Sequence, residues 1–339
     1  MKVTIDDVAR RAGVSKTTVS RILNGNYGQT TEETRNRILD VIKEMDYSPN
    51  IVAKSLKSMR TNVIGIVLSN LKNPYWMTVL EGVEDTCRDL GYNLMICNSD
   101  EQPEMEMQYI KEFQMRQVDG IVINPTVRNM ELYAKLASDN YPFVVINRKV
   151  PGLSAHHVVV DNVKGAELAV NHLVRAGRKK VAVFVYRNPH VSTWAERVEG
   201  YRSAMLENGF APGDLLICEV EQGTGATTEA VIRFLRQQPD VEAIFSTNNM
   251  MTLDIIKGIK ELRLRIPDDI AIIGYDETVW AQHLDPPLTT VMQPAYEMGR
   301  ISAKMLIKRI NAKRQQKPET VVLEPQLIVR ASCGAAGRV

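Results

Sequence analysis

The sequence has little of what marks secreted, metal-dependent or membrane-spanning chains. It holds 4 cysteines (Cys87, Cys97, Cys218, Cys333), scattered without metal-ligand or redox spacing. A disulfide framework and a metal site are therefore not expected, and reduced, buried thiols are. Its 5 histidines form no HExxH pair, and His156-His157 reads as a loop pair. The longest apolar runs, such as Val63–Leu68, are far too short to span a bilayer, so no membrane partner is expected. The start Met-Lys-Val-Thr-Ile-Asp-Asp has no apolar stretch of the secretory kind, which points to the cytoplasm. The nearest thing to a nucleotide loop is Gly223-Thr224-Gly225-Ala226. It lacks both the third glycine of GxGxxG and a GK[ST] ending, so it reads as a plain loop. No Ser-His-Asp or paired-acid constellation stands out, and neither an enzyme nor a cofactor is expected.

What is present is ordinary globular composition, 44% hydrophobic and 24% charged over 339 residues, enough for two to three domains with sizeable cores. The charge is unevenly placed. Residues 1–60 hold eleven Lys/Arg against seven Asp/Glu, whereas the rest of the chain is slightly acidic within an overall net charge of +2. A small basic region on a near-neutral body suits a nucleic-acid reader attached to something else.

Those first sixty residues predict three short helices. Thr4 begins the first, with Asp7 placed to complete a capping box, and Ile5, Val8, Ala9 and Ala12 give one apolar face. Gly13 breaks it. Ser15 caps a second helix whose stripe is Val19, Ile22 and Leu23 and which stops at Asn24-Gly25. A third opens at Thr30 or Thr31, with Glu33 able to close a box on Thr30. It runs along Ile38, Val41, Ile42 and Met45 and ends near Tyr47, ahead of Pro49. Two helices joined by Ala12-Gly13-Val14 form a helix-turn-helix. The polar side of the second helix presents Lys16, Thr17, Ser20 and Arg21, near the end that reaches base edges in the major groove. Ser15, Thr18, Asn24 and Thr31 sit at helix ends, where hydroxyls and N–H groups suit phosphate. On this pattern alone, a small helical bundle with a solvated polar face fits about equally well. The following run, Asn50 to Lys57, has a cap and an apolar edge but only about two turns, which is marginal as an isolated helix. On its own it fits a plain linker.

From Asn62 short apolar runs alternate with helical periodicity. Strands are expected over 63–68, 93–97, 120–123, 143–146, 157–160, 180–185, 216–220, 243–246 and 270–274. Helices are expected over 78–90, 104–116, 129–138, 165–176, 195–208, 227–236, 250–262 and 296–311. That repetition means doubly wound parallel sheet, with too many strands for one small sheet, so two lobes are expected. Ligands of such sheets bind beyond the C-terminal strand ends. The residues there include Tyr75, Trp76, Asn124, Arg148, Ser192, Trp194, Arg197, Asn248, Asp276 and Trp280. Amides and carboxylates take sugar hydroxyls, aromatic faces stack on C–H surfaces, and Arg148 and Arg197 could clamp a carboxylate. Several also have plain structural readings: Asn248-Asn249 and Asp161-Asn162 as helix caps, Trp280 as packing, and Arg148 as an ion pair.

The run T-I-D-D-V-A-R-R-A-G-V-S-K-T-T-V-S-R-I-L-N-G, then T-R-x-R-I, Tyr47-Ser48-Pro49-Asn50 and Ala53-x-x-Leu56, resembles the LacI/GalR family of bacterial repressors, and the resemblance runs through the whole chain. It implies an all-α helix-turn-helix headpiece on an α/β core of two doubly wound parallel-sheet lobes, the type I periplasmic-binding-protein-like fold. By the same resemblance Lys16, Thr17 and Arg21 match the base-reading set, and Asn50 to Lys57, with Ala53 and Lys54, matches a hinge helix that forms on operator DNA. Leu56 matches the leucine that wedges into the minor groove. It raises Arg197, Asn248 and Asp276 as effector contacts. The family's usual Asn-Asp is Asn248-Asn249 here, which weakens the second position. The expected organisation is a headpiece over 1–48, a hinge over 49–61, and a core over 62–331. The first lobe is placed at about 62–161 plus 291–319 and the second at about 162–290 plus 320–331. The implied function is a transcriptional regulator acting as a repressor on palindromic double-stranded DNA. It would work as a homodimer under a small sugar or sugar-acid effector, and some stretches resemble regulators of keto-deoxygluconate-type sugar acids. A sugar-binding protein of the same core fold is the alternative.

Overall fold

The computed structural model describes residues 3–28, 30–48, 60–188, 190–312, 314 and 317–335. The chain divides into two compact units, Met1–Thr61 and Asn62–Val339. The hinge residues named above, Asn50, Ala53, Lys54 and Leu56, lie outside the described residues.

The first unit holds α1 (Ile5–Ala12), α2 (Lys16–Leu23) and α3 (Glu32–Glu44). Both halves of the Thr4–Asp7 capping box are made: the Asp7 N–H donates to Thr4 Oγ1 at 3.3 Å and the Thr4 N–H to Asp7 Oδ2 at 3.0 Å. Gly13 ends α1 at a φ of 66°, a conformation cheap for glycine alone. Ser15 caps α2 and Thr31 caps α3, the latter by accepting from the Thr34 N–H, so the start at Thr30 is not used. Val8, Ala9, Ala12, Val19, Ile22, Ile38 and Val41 close a small core.

The second unit carries two six-stranded sheets. The first contains β1 (Val63–Leu68), β2 (Asn93–Asn98), β3 (Gly120–Ile123), β4 (Phe143–Ile146), β5 (His156–Val160) and β11 (Thr320–Leu323), in the order β11-β5-β4-β3-β1-β2, all parallel. The second contains β6 (Val181–Tyr186), β7 (Leu216–Val220), β8 (Ala243–Ser246), β9 (Ala271–Tyr275), β10 (Thr289–Met292) and β12 (Gln326–Ile328), in the order β12-β10-β9-β8-β6-β7, with only β12 antiparallel. Val/Ile-rich central strands such as β3 and β4 are buried throughout, as strands covered by helices on both faces must be. The first lobe's helices are α4 (Tyr75–Asp89), α5 (Pro103–Met115), α6 (Met130–Ser138) and, returning from the second sheet, α11 (Ala295–Asn311). The second lobe's are α7 (Asn162–Arg175), α8 (Ser192–Glu207), α9 (Ala226–Gln237) and α10 (Asn249–Glu261). Among the described residues no helix is long and apolar enough to cross a membrane.

Two readings are corrected. His156-His157, expected as a loop pair, opens β5 and is buried there. Thr320–Leu323, expected in the second lobe with the rest of 320–331, pairs with β5 in the first. Val321 and Leu323 pack on the first lobe's core. Glu324-Pro325 splits the run, because proline offers no N–H to a ladder, and only Gln326–Ile328 joins the second sheet. The chain therefore passes between lobes three times, at Asp161, at Gln293-Pro294 and at Glu324-Pro325.

Candidate DNA-reading face and effector cleft

In the headpiece, the buried stripe of α2 turns Lys16, Thr17 and Arg21 into solvent, with Ser20 half-buried beside them. Positions 16, 17, 20 and 21 share one helical face, so these donors form a continuous strip. Lys16 Nζ lies 2.9 Å from Asp6 Oδ2, but both side chains are more than half exposed. Such a pair contributes little and yields readily to a phosphate or a base edge. The four residues read as phosphate contacts all have bonds within the headpiece. Ser15 Oγ and Thr18 Oγ1 are 2.9 Å apart, Asn24 Nδ2 donates to the Ser20 carbonyl at 2.8 Å, and Thr31 Oγ1 donates to Thr34 Oγ1 at 2.9 Å.

The strand ends of the two lobes face a cleft of about 620 Å³. Tyr75, Trp76, Arg148, Trp194, Arg197, Asn248 and Asp276 line it. Asn124, Ser192 and Trp280 do not line it. Asn124 is fully buried beneath the floor, donating to Ser69 Oγ at 2.6 Å, and Asn147 Nδ2 reaches Asn124 Oδ1 at 3.5 Å. It holds two residues that do line the cleft. Ser192 Oγ accepts from the Lys149 N–H at 2.9 Å, a bond between the lobes. Trp280 starts a short 3-10 turn and packs on the apolar cluster of Ile255, Ala281 and Leu288, the packing role its size favours.

The two arginines are held differently. Arg148 is 4% exposed, and its two terminal nitrogens grip the Glu101 carboxylate at 2.8 and 2.5 Å while Nη1 also donates to the Pro125 carbonyl at 2.9 Å. Arg197 is 3% exposed. Its Nε donates to Asn162 Oδ1 at 3.0 Å and Nη1 to the Thr247 carbonyl at 2.6 Å, and its guanidinium carbon lies 3.6 Å from the Tyr275 ring centre. Burial pushes the Tyr275 hydroxyl up to about 12, against the charge of Arg197, so the ring stays neutral beneath the cation.

Asp276 follows β9 with a φ of 73° and accepts from Gln293 Nε2. Burial raises its carboxyl above the usual range. Arg197, the Gln293 bond and bonds from Asn249 and Asn73 oppose that rise without reversing it. Asn248 caps α10, its Oδ1 accepting from the Met250 and Met251 N–H groups at 3.0 and 3.4 Å, which leaves its amide nitrogen for a ligand. Asn249, the position that the resemblance left weaker, is fully buried and donates across the lobes to Asn73 Oδ1 at 2.8 Å. Aromatic pairs stand on both walls: Tyr75–Trp76 with centroids 5.0 Å apart, and Tyr186–Trp194 at 5.4 Å.

Several lining residues escaped the sequence reading: Asp100, Glu101, Tyr186, Thr193, Asp254 and Gln293. Asp100 and Glu101 follow β2 and obey the same strand-end rule. Their positive φ values, 49° and 60°, mark a turn tight enough to aim Glu101 inward. Gln293 sits at a lobe crossing rather than at the end of a central strand.

A donor-rich recognition helix and a two-lobed cleft of amides, carboxylates and aromatics, carried by one chain, define a DNA-binding regulator with a small-molecule domain. Comparison with known proteins agrees. Residues 4–50 match the family model for bacterial regulatory proteins of the lacI family, and residues 61–328 match the model for periplasmic binding proteins and the sugar-binding domain of the LacI family. The chain is 34% identical over 332 residues to the HTH-type transcriptional regulator KdgR of Bacillus subtilis (strain 168), covering 97% of each chain. It is 34% identical over 337 residues to the HTH-type transcriptional regulator DegA of the same strain, covering 98% of each. Among solved structures, the transcriptional regulator CelR in complex with cellobiose is similar with a TM-score of 0.72 at 28% identity, over 98% of this chain and 100% of that one. The lac repressor dimer bound to operator and the anti-inducer ONPF shares the fold, with a TM-score of 0.86 at 23% identity over 98% and 99%. The chain belongs to the LacI family of transcriptional regulators, and these relatives are regulators rather than enzymes.

Proposed function

We propose that the chain is a cytoplasmic repressor of a carbohydrate-use operon, working as a homodimer on a palindromic operator and controlled by a small sugar or sugar acid in the cleft. The observation that carries this reading is the cleft itself, about 620 Å³ of amides, carboxylates and aromatic faces between two lobes, in the same chain as a helix-turn-helix head. Lys16, Thr17, Ser20 and Arg21 read base edges, and Ser15, Thr18, Asn24 and Thr31 position the backbone. Asn50, Ala53, Lys54 and Leu56 order against the DNA and the partner's hinge, with Leu56 opening a minor-groove step. Tyr75, Trp76, Arg148, Trp194, Arg197, Asn248 and Asp276 contact effector, with Asn124 and Ser192 supporting them from behind. Effector changes operator affinity only through its different affinity for two arrangements of the lobes.

Two measurements test this. A chain cut after Arg60 leaves a body that should lose selective operator binding, and retained selectivity would refute the head's role. Arg21→Ala should reduce discrimination among operator sequences by about 1–3 kcal/mol, read in competition binding. Unchanged selectivity removes Arg21 from the reading set.

A further inference from the structure

The loop that follows β9 carries two adjacent carboxylates with separate surroundings. Asp276 lines the cleft, and Glu277 does not. Glu277 is held instead by the strands through which the chain passes between lobes. Arg330 Nη1 and Nη2 donate to its two oxygens at 3.0 and 2.6 Å, and Thr290 Oγ1 donates to Glu277 Oε2 as well. Thr290 lies on β10, which runs into the crossing at Gln293-Pro294, and Arg330 follows β12, which begins just beyond the crossing at Glu324-Pro325. Arg330 is further fixed to the start of β10, its N–H donating to Thr289 Oγ1 and its Nη1 to the Leu288 carbonyl, both at 2.8 Å. The Glu277 and Arg330 side chains are 25% and 19% exposed, so solvent screens this pair less than a surface one. Asp276 is tied to the same strand from the cleft side. Its N–H donates to the Val291 carbonyl at 2.9 Å, and its side chain accepts from Gln293 and, from the first lobe, from Asn73.

We propose that Glu277 is a positioning residue for the effector response: through Arg330 and Thr290 it makes two of the three lobe crossings follow the loop that carries Asp276. This rests on the two-lobe control proposed above. A contact on Asp276 moves its backbone, and the next residue is clamped both to β10 and to the chain beyond β12. The two crossings on that side then turn together instead of slackening one at a time. A chain of bonded, packed groups of this kind is a physical route for coupling when loosening one link loosens the response. A merely structural ion pair would add stability and leave the coupling unchanged.

The test uses the full chain with neither sugar nor DNA. Spin labels are placed on encoded azides at the exposed positions Ala134, on α6, and Gln237, on α9, and doubly labelled chains are diluted in unlabelled ones. The perturbation is Asp276→Asn, whose amide nitrogen meets the donors of Asn73 and Gln293, so that at least one bond is lost. Pulsed electron resonance should show the mean distance between the lobes moving by at least about 2 Å in the native background. In Glu277→Gln that movement should fall below about half. Thr290→Val, an isosteric change that removes one arm of the clamp and leaves the ion pair, should reduce it in part. An equal movement with and without the clamp overturns the proposal and makes Glu277 a structural residue. No movement in any background also overturns it, because the cleft carboxylate then has no hold on the lobes. The sugar and operator reading survives either failure, since neither ligand takes part.

Discussion

The two walls of the cleft each carry one buried arginine, and the two are not equivalent. Arg148, on the first lobe, meets a carboxylate with matched geometry and is electrically complete before any ligand arrives. Arg197, on the second, is braced by an amide oxygen, a backbone carbonyl and a ring face, none of which cancels its charge. Its counter-charge is Asp276, itself held in an unfavourably buried state. The difference teaches that an arginine near a strand end is not by itself an anion clamp. What matters is whether its partner is ionised.

The largest effect should come from Arg197→Ala. It removes the positive charge acting on Asp276, takes one donor from Asn162 Oδ1, which keeps the Tyr275 hydroxyl, and takes the Arg197 bond from the Thr247 carbonyl, a loss of about 3 kcal/mol. Calorimetry should show effector binding abolished while the separate headpiece still binds operator. A normal response would remove the second wall from the site. Arg148→Met should cost about 2 kcal/mol in urea unfolding, because Glu101 is left behind, and adding Glu101→Leu should recover most of it. Additive losses in that cycle would mean the pair is not self-contained. Asn124→Ala should cost about 1 kcal/mol and weaken effector binding only modestly, since it acts through Ser69 and Asn147. A collapse of binding would make Asn124 a direct contact.

The last prediction has the opposite sign. The native state holds the Asp276 proton more tightly than the unfolded chain, whose carboxyl keeps its ordinary value of 3.8. Stability therefore falls as pH rises from 3.8 through the raised native value, and the penalty is complete above it. Asp276→Asn removes that penalty, and asparagine tolerates the positive φ there. The variant should melt above the native protein at neutral pH, with the gap closing as pH falls toward 3.8, while effector binding is lost. A variant that melts lower at neutral pH would mean Arg197 outweighs burial.

The central strands were legible almost to the residue, because their short buried apolar runs alternate with helical stretches as a parallel sheet requires, whereas the split between β11 and β12 was not. Helix starts on the cleft were read three residues late, at Thr78, Gly165 and Ala195 rather than Tyr75, Asn162 and Ser192. Neither α4 nor α8 has a side-chain cap to announce it, since Pro74 and Val191 hold those positions. Those first turns carry Tyr75, Trp76, Asn162 and Trp194, so part of the site was read as loop. The partnership of Arg148 with Glu101 was hidden for another reason. It joins residues 47 apart, from the ends of two different strands, and only the folded sheet brings them together.

The three passages between lobes have a mechanical consequence. Two leave from neighbouring strands of the first sheet, where the Asp161 N–H donates to the Leu323 carbonyl at 3.0 Å, and the adjacent strands β10 and β12 receive or release two on the second. Covalent ribbons laced side by side resist stretching and sideways slip but still bend. The pair of lobes thus behaves as a flexure with few degrees of freedom, and whatever settles in the gap is translated into tilt and twist.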